Sequence, residues 1–352
     1  MNDRQSKALG CMLGMALGDA YGAPTEFLSI DAISSRWPPS GPTRPLGYPG
    51  PEDNSTIRVT DDTQMAIAVG KVLCALSQQE ELKPSECEEL LRESYHEWYH
   101  SPDNTRAPGN TCLRSCQKLE EGLPWWEATS AWSKGCGANM RVPPVGLWKL
   151  DDPDATQQRS ALAQFQAALT HGHPTGLAAA DLTAFSITRL LKGSHPKDLL
   201  QDLFAYIEQQ KTRYHERWLG PLWQQPTVTS KVSFISRGWE ECLQALKRVE
   251  ESLVSWDGNT DPCLMTGEGW IAEEALATGL FCFLVHPEKP VGVIKRASVT
   301  SGDSDSIASL AGAFAGAYHG HHVWPDEWVQ HIEYKEQLEA IALQLIAPSD
   351  TH

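Results

Sequence analysis

The sequence contains no Cys-x-x-Cys pair among its nine cysteines, no P-loop and no Gly-x-Gly-x-x-Gly fingerprint. That excludes the usual zinc knuckle and dithiol redox centre, and the common nucleotide-phosphate cradles. No serine, Ser186 included, lies in a nucleophile-elbow context. Positive charge is scarce: 29 Lys and Arg against 45 Asp and Glu leave a net charge of −16. Such a surface repels a phosphate backbone, which disfavours nucleic acid as the general partner but leaves room for a local basic pocket. No apolar run approaches the roughly 20 residues of a membrane span. The apolar stretch from Ala8 to Tyr21 is short, rich in glycine and interrupted by Asp19, without signal-peptide flanks. The expectation is therefore no membrane partner. An odd cysteine count without a secretion signal adds reduced thiols and a cytoplasmic location.

Strand-like alternation is also missing. Apolar residues recur at three and four, as in Leu162-Phe165-Ala168-Leu169 and Ile271-Ala275-Leu276-Gly279-Leu280, which predicts an all-α protein. With 41% hydrophobic and 21% charged residues, and no clean linker, residues 1–352 read as a single globular domain. Glycine recurs every fourth position at Gly10, Gly14, Gly18 and Gly22, and again at Gly312, Gly316 and Gly320, with Ala308 one step earlier. Glycine costs about 1 kcal/mol against alanine inside a helix, so this repetition predicts a close helix–helix approach. Between the elements, residues 38–58 are rich in Pro and Gly and read as a loop, either a lid or a surface connector. Ser101–Thr111 and Ser133–Pro144 read as two further loops.

Two acidic hydroxyl clusters lie far apart in the chain. Thr60-Asp61-Asp62-Thr63 opens one predicted helix and Asp303-Ser304-Asp305-Ser306 opens another. Either alone suits an N-cap with acids in the first turn. Together they hold more acid than capping needs. If the fold joins them, four carboxylates crowd one place, with the Thr60 and Ser306 hydroxyls completing a shell of hard oxygens. Such a set calls for divalent cations, Mg²⁺ or Mn²⁺ rather than Zn²⁺. These residues point to a metal-dependent hydrolase.

The opening Gly18-Asp19-Ala20-Tyr21-Gly22-Ala23-Pro24-Thr25-Glu26, the Thr60–Thr63 helix start and the late Gly302–Ser306 helix start occur in order. This ordered set resembles the ADP-ribosylglycohydrolase family over nearly the whole chain. The resemblance implies a compact orthogonal α-helical fold with two Mg²⁺ ions, Mn²⁺ being possible. The implied metal ligands are Thr60, Asp61, Asp62, Asp303, Asp305 and Ser306. Asp62 or Asp303 would accept a proton from the attacking water, and Glu26 would orient the substrate ribose. Asp19 would bond backbone near the site. The implied activity removes ADP-ribose from a target, foremost ADP-ribosyl-arginine on protein, with a small-molecule adduct as another substrate class and free ADP-ribose as product.

The same resemblance assigns an ADP-ribose pocket to Gly109, Asn110, Thr111, Gly135, Gly137, Asn139, Met140 and His171. Gly135 and Gly137 would let backbone N–H groups approach the diphosphate. Arg141 either pairs with an anion or braces its loop, and His173 is a lesser pocket candidate. Some relatives carry Asp where this chain has Ala107, which bears on linkage preference. Trp125, Trp126 and Trp270 either stack on adenine or fill core. Tyr318-His319-Gly320-His321-His322 reads as a helix end. Two alternatives stand beside the hydrolase. One is a non-catalytic structural or ADP-ribose-binding relative, although every ligand position here keeps an oxygen. The other is a Mg-diphosphate terpene synthase, whose acid-rich signature is broken by Gln64 and Met65.

Overall fold

The computed structural model describes residues 1–48, 56–79, 81–150, 152 and 155–347. Among the described residues the chain forms eighteen α-helices and two short 3-10 turns, with only isolated β-bridges such as Ser130 with His171 and Gly135 with Ile271. The all-α expectation holds. No described helix is long and apolar enough to cross a membrane.

The N-terminal helix Asp3–Gly22 starts on a reciprocal cap. The Asn2 side chain accepts the Gln5 N–H while the Gln5 side chain accepts the Asn2 N–H. From Ala8 onward every residue of this helix is buried. Its glycine face meets the glycine face of the helix Ser304–His319, and backbone lies against backbone. A Cβ placed on Gly18 would stand 2.0 Å from the carbonyl oxygen of Ala308, and one on Gly316 would stand 1.8 Å from that of Gly10. The two stripes seen in the sequence are therefore halves of one interface. This pairing joins the two ends of the chain and sets the C-terminal end of one helix beside the N-terminal end of the other.

Around this pair, Pro174–Leu191 and Ala272–Val285 are buried on nearly all sides and lie in the core. The outer helix Lys231–Ser255 is amphipathic instead. It buries Phe234, Ile235, Gly238, Trp239, Cys242, Ala245, Leu246 and Val249, at helical spacing. Of the Pro- and Gly-rich stretch 38–58, residues 49–55 lie outside the described residues, so its role as a lid falls partly there. Its described ends are pinned: the Tyr21 hydroxyl donates to the Pro42 carbonyl at 2.8 Å and the Gly47 N–H to that of Ala20 at 2.9 Å, while the Ile57 N–H donates to the His331 carbonyl at 2.7 Å.

Candidate active site

The helix Asp61–Ala75 and the helix Ser304–His319 point their N-termini at one place. The Ser306 hydroxyl donates to Asp62 Oδ2 at 2.8 Å, across 244 residues of sequence. Glu26, just past the end of the N-terminal helix, completes the cluster. One carboxylate oxygen from each of Glu26, Asp303 and Asp305 lies within 4.8 Å of the other two. Asp61, Asp62, Asp303 and Asp305 are all buried, and Glu26 is half-buried.

Each cluster is held from behind. Asp19 accepts the Thr60 N–H at 3.0 and 3.1 Å and the Thr63 N–H at 3.2 Å, so it caps the helix that Asp61 begins. Glu333 accepts the Val59 N–H at 3.1 Å and is paired with Arg106, which also donates to the Val59 carbonyl at 2.8 Å. On the other side the Asp303 N–H donates to the Glu268 carbonyl at 2.7 Å. Gly302 makes that approach possible, since a Cβ there would fall 1.9 Å from the same oxygen. Thr25, beside Glu26, donates its hydroxyl to the carbonyls of Gly22 and Ser298 and contacts the Ser304 hydroxyl.

Burial and crowding raise every carboxyl of the cluster. Burial comes first for Asp61, Asp62 and Asp303, then repulsion from Asp305, and all three sit well above the ordinary carboxylate range. Burial raises Asp305 too, against hydrogen bonds from Asp303, the Ser306 N–H and Thr60. Glu26 is pushed up to about 10 by burial and by Asp305, Asp61 and Asp19. Asp19 is pushed up to about 7 by burial and Asp305, while the Thr63 and Thr60 bonds pull it down. So many buried acids cannot all ionise beside one another unless cations offset them. The donor set is oxygen only, from carboxylates and hydroxyls, and fits hard divalent ions.

The loop residues implied by the resemblance fall into two groups. Gly109 caps the helix Asn110–Glu120, and its N–H points at Asp61 Oδ2 at 3.4 Å. Asn110 is exposed, and the Thr111 hydroxyl contacts that of Ser133 at 3.2 Å. This loop therefore adjoins the acid cluster. Gly135 and Gly137 pack on His171: a Cβ on Gly137 would lie 2.7 Å from the imidazole and 2.8 Å from the Cys112 sulfur. Room for that ring is a second reason for glycine, beside phosphate approach. His171 is buried and neutral, its pKa lowered to about 3 by burial and by Arg141. Asn139 and Met140 are interior. Asn139 donates to the Ala272 carbonyl at 3.2 Å, and its side-chain oxygen lacks a partner.

The choice left open for Arg141 is settled. Its guanidinium is buried, lies 4.7 Å over the Tyr95 ring, and donates to the Gln166 side chain and carbonyl and to the Thr170 hydroxyl. It braces the loop from the interior, with no exposed surface to offer an anion. His173 caps the helix Pro174–Leu191 by accepting the Thr175 N–H. Trp125 is core, packed edge-to-face on Phe165, whereas Trp126 is exposed. His319 ends its helix, as read, and His321 contacts Ser6.

Sequence reasoning missed Phe27. It stands next to Glu26, is 70% exposed, and stacks on the partly exposed Trp270 with centroids 5.3 Å apart. An aromatic pair thus forms a rim beside the acids. The available signal was an apolar residue directly after a site carboxylate.

With the geometry in hand, comparison with known proteins is direct. The ADP-ribosylglycohydrolase family model matches residues 1–352. The human ADP-ribosylhydrolase ARH3 is 28% identical over 362 residues, covering 97% of this chain and 93% of that protein. The ADP-ribosyl-[dinitrogen reductase] glycohydrolase of Rhodospirillum rubrum is 31% identical over 219 residues, covering 61% of this chain and 68% of its own length. Among solved structures, an ADP-ribosylglycohydrolase-related protein complex superposes with a TM-score of 0.67 at 22% identity, covering 99% of this chain and 100% of its own. The chain belongs to the ADP-ribosylglycohydrolase family, a family of glycosidic-bond hydrolases.

Proposed function

We propose that this protein is a Mg²⁺-dependent hydrolase that releases ADP-ribose from an ADP-ribosylated target, foremost ADP-ribosyl-arginine on protein. The observation that carries this reading is the convergence of Glu26, Asp303 and Asp305 with Asp61 and Asp62 at two abutting helix starts. Thr60, Asp61, Asp62, Asp303, Asp305 and Ser306 would hold two Mg²⁺ or Mn²⁺ ions. Such ions supply Lewis acidity and make a bound water more acidic.

The chain's own groups do the rest. Glu26 orients the ribose hydroxyls. Asp62 or Asp303 takes a proton from the attacking water. The water oxygen bonds to the anomeric carbon as the bond to the target nitrogen breaks, and the proton returns to that nitrogen. Positive charge on the ribose ring in the transition state is met by the surrounding carboxylates. Backbone N–H groups of the glycine loops hold the diphosphate. The Phe27–Trp270 rim beside Glu26 suits a guanidinium, a flat cation that stacks on aromatic faces. That cation–aromatic match supports the arginine linkage that the resemblance implies.

The test is ADP-ribose release from substrates linked through arginine, serine and a nucleic-acid phosphate, with Mg²⁺ and with EDTA. Metal-dependent release from the arginine substrate is expected. Release only from another linkage would refute the target assignment. No release at all, with ADP-ribose still bound, would favour a binding or structural relative, or a linkage outside these three. Asp62→Ala and Asp303→Ala are expected to abolish release while the far-UV circular dichroism stays unchanged.

A further inference from the structure

A second group of metal-ligating side chains lies outside this site and shares no residue with it. His96 stands near the end of the helix Pro84–Tyr99, and His100 is its C-terminal cap, one turn further on the same face. Glu120 is the last residue of the helix Asn110–Glu120. His100 Nε2 lies 2.8 Å from Glu120 Oε1, and His96 Nδ1 lies 3.7 Å from the same oxygen. The two imidazoles are 4.5 Å apart between centroids. One ligand atom from each of the three residues lies within 4.8 Å of the other two. All three side chains are open to solvent.

The chemistry differs from that of the acidic cluster. Two imidazoles and one carboxylate form the nitrogen-rich donor set of borderline transition ions, where the other site offers oxygen alone. Two histidines four apart on a helix, with an acid between them, are also a known zinc signature, here His96-Glu97-Trp98-Tyr99-His100. Glu97, however, lines a different cavity with Gln64, Trp98 and Tyr334. The acid that would activate water in a zinc peptidase is turned away, so the group argues for binding and not for peptide cleavage.

We infer that His96, His100 and Glu120 form a Zn²⁺-class transition-metal site with three protein ligands and a remaining position open to solvent. An ion there ties the end of the helix Asn110–Glu120 to the helix Pro84–Tyr99. The start of that same helix carries Gly109 and Asn110, about 16 Å away at the helical rise. The ion is thus separate from the acidic cluster and steadies the helix whose first turn adjoins it.

The experiment is calorimetric titration of Zn²⁺ into the full chain, freed of metal and then held in excess Mg²⁺ so that oxygen-only sites stay filled. Thermal melts with and without Zn²⁺ run alongside. Wild type is compared with His96→Ala, His100→Ala and, as a control in the other histidine group, His322→Ala. One Zn²⁺ per chain and a raised Tm are expected for wild type and His322→Ala. Affinity should fall at least about tenfold, and the Tm rise should vanish, in both His96→Ala and His100→Ala. All the substituted side chains lie at the surface, so circular dichroism should show unchanged folds. Failure of wild type to bind Zn²⁺, or binding unchanged in both site variants, overturns the inference. ADP-ribose release is not a readout here, so failure of the proposed activity would leave the result intact.

Discussion

Asp19 holds Thr60 by the backbone: its two carboxylate oxygens lie 3.0 and 3.1 Å from the Thr60 N–H. The same carboxylate takes the Thr63 N–H and hydroxyl. One buried side chain of the N-terminal helix thus sets the first turn that presents Asp61 and Asp62. Asp19→Asn keeps the volume but turns a donor toward a donor. It should cost about 1–3 kcal/mol of stability and weaken Mn²⁺ binding, as read by thermal melts and metal titration. If both stay at wild-type values, Asp19 does not organise the cluster.

The glycine stripe gives a prediction with a built-in control. Gly18→Ala puts a methyl 2.0 Å from the Ala308 carbonyl oxygen, and that neighbour is backbone that cannot turn aside. The helix pair must part, at a cost of about 1–3 kcal/mol or more. Separation would also move Glu26 and Asp305 apart, so metal affinity should fall with stability. Gly292→Ala, in the helix Pro290–Ser298, meets a single atom, the Lys289 Cβ, at 3.3 Å and no carbonyl backbone. There the propensity gain of about 0.5–1 kcal/mol is offset by that one contact, so the net change in stability should be small. Equal effects at the two positions would remove the close-packing argument.

These two cases also mark what the sequence makes legible. Acids and hydroxyls at Thr60–Asp62 and Asp303–Ser306 are helix-start chemistry, readable locally, and glycine at every fourth position announces a tight interface. That the two stripes pair with one another is only suggested by their matching period. The Arg106–Glu333 support, the Phe27–Trp270 stack and the placing of Glu120 beside His96 and His100 are harder, because each partner is supplied by another part of the chain. Arg141 is the clearest instance. Its residue type fits an anion ligand or a brace equally, and only Gln166, Thr170 and Tyr95 around it decide.

Metal removal should invert the pH dependence of stability. Asp19 and Glu26 have folded-state pKa values of about 7 and about 10, above the ordinary 3.8 and 4.5. A carboxyl with a raised folded pKa binds its proton more tightly in the folded chain. Its stabilising contribution is full below the ordinary value and is lost as pH rises through the folded one. The EDTA-treated protein should therefore lose Tm as pH rises through 7 and toward 10. Added Mg²⁺, whose ligands must be ionised, should restore more Tm at pH 9 than at pH 6. A Mg²⁺ effect that is flat or shrinking across this range would mean that the carboxyl cluster does not bind the ion.

The last prediction concerns the proton on His171. Arg141 Nη2 donates to the Thr170 hydroxyl at 2.7 Å, and that hydroxyl lies 2.8 Å from His171 Nδ1 but 3.4 Å from the Ala167 carbonyl. With the hydroxyl proton on the shorter contact, Nδ1 accepts and Nε2 carries the ring N–H, which is the expected tautomer. Burial and the Arg141 charge keep the ring neutral. Nε2 faces the Gly135–Gly137 turn, where under the proposed function a donor would serve the diphosphate. Nitrogen NMR should report the Nε2–H tautomer in the wild type. Thr170→Val removes the hydroxyl that links Arg141 to the ring while keeping its shape. It should lower ADP-ribose affinity about tenfold, the worth of one oriented hydrogen bond, and leave Mg²⁺ binding unchanged. A protonated Nδ1 in the wild type, or full ADP-ribose affinity in Thr170→Val, would show that the Arg141–Thr170 pair supports the loop without setting the histidine.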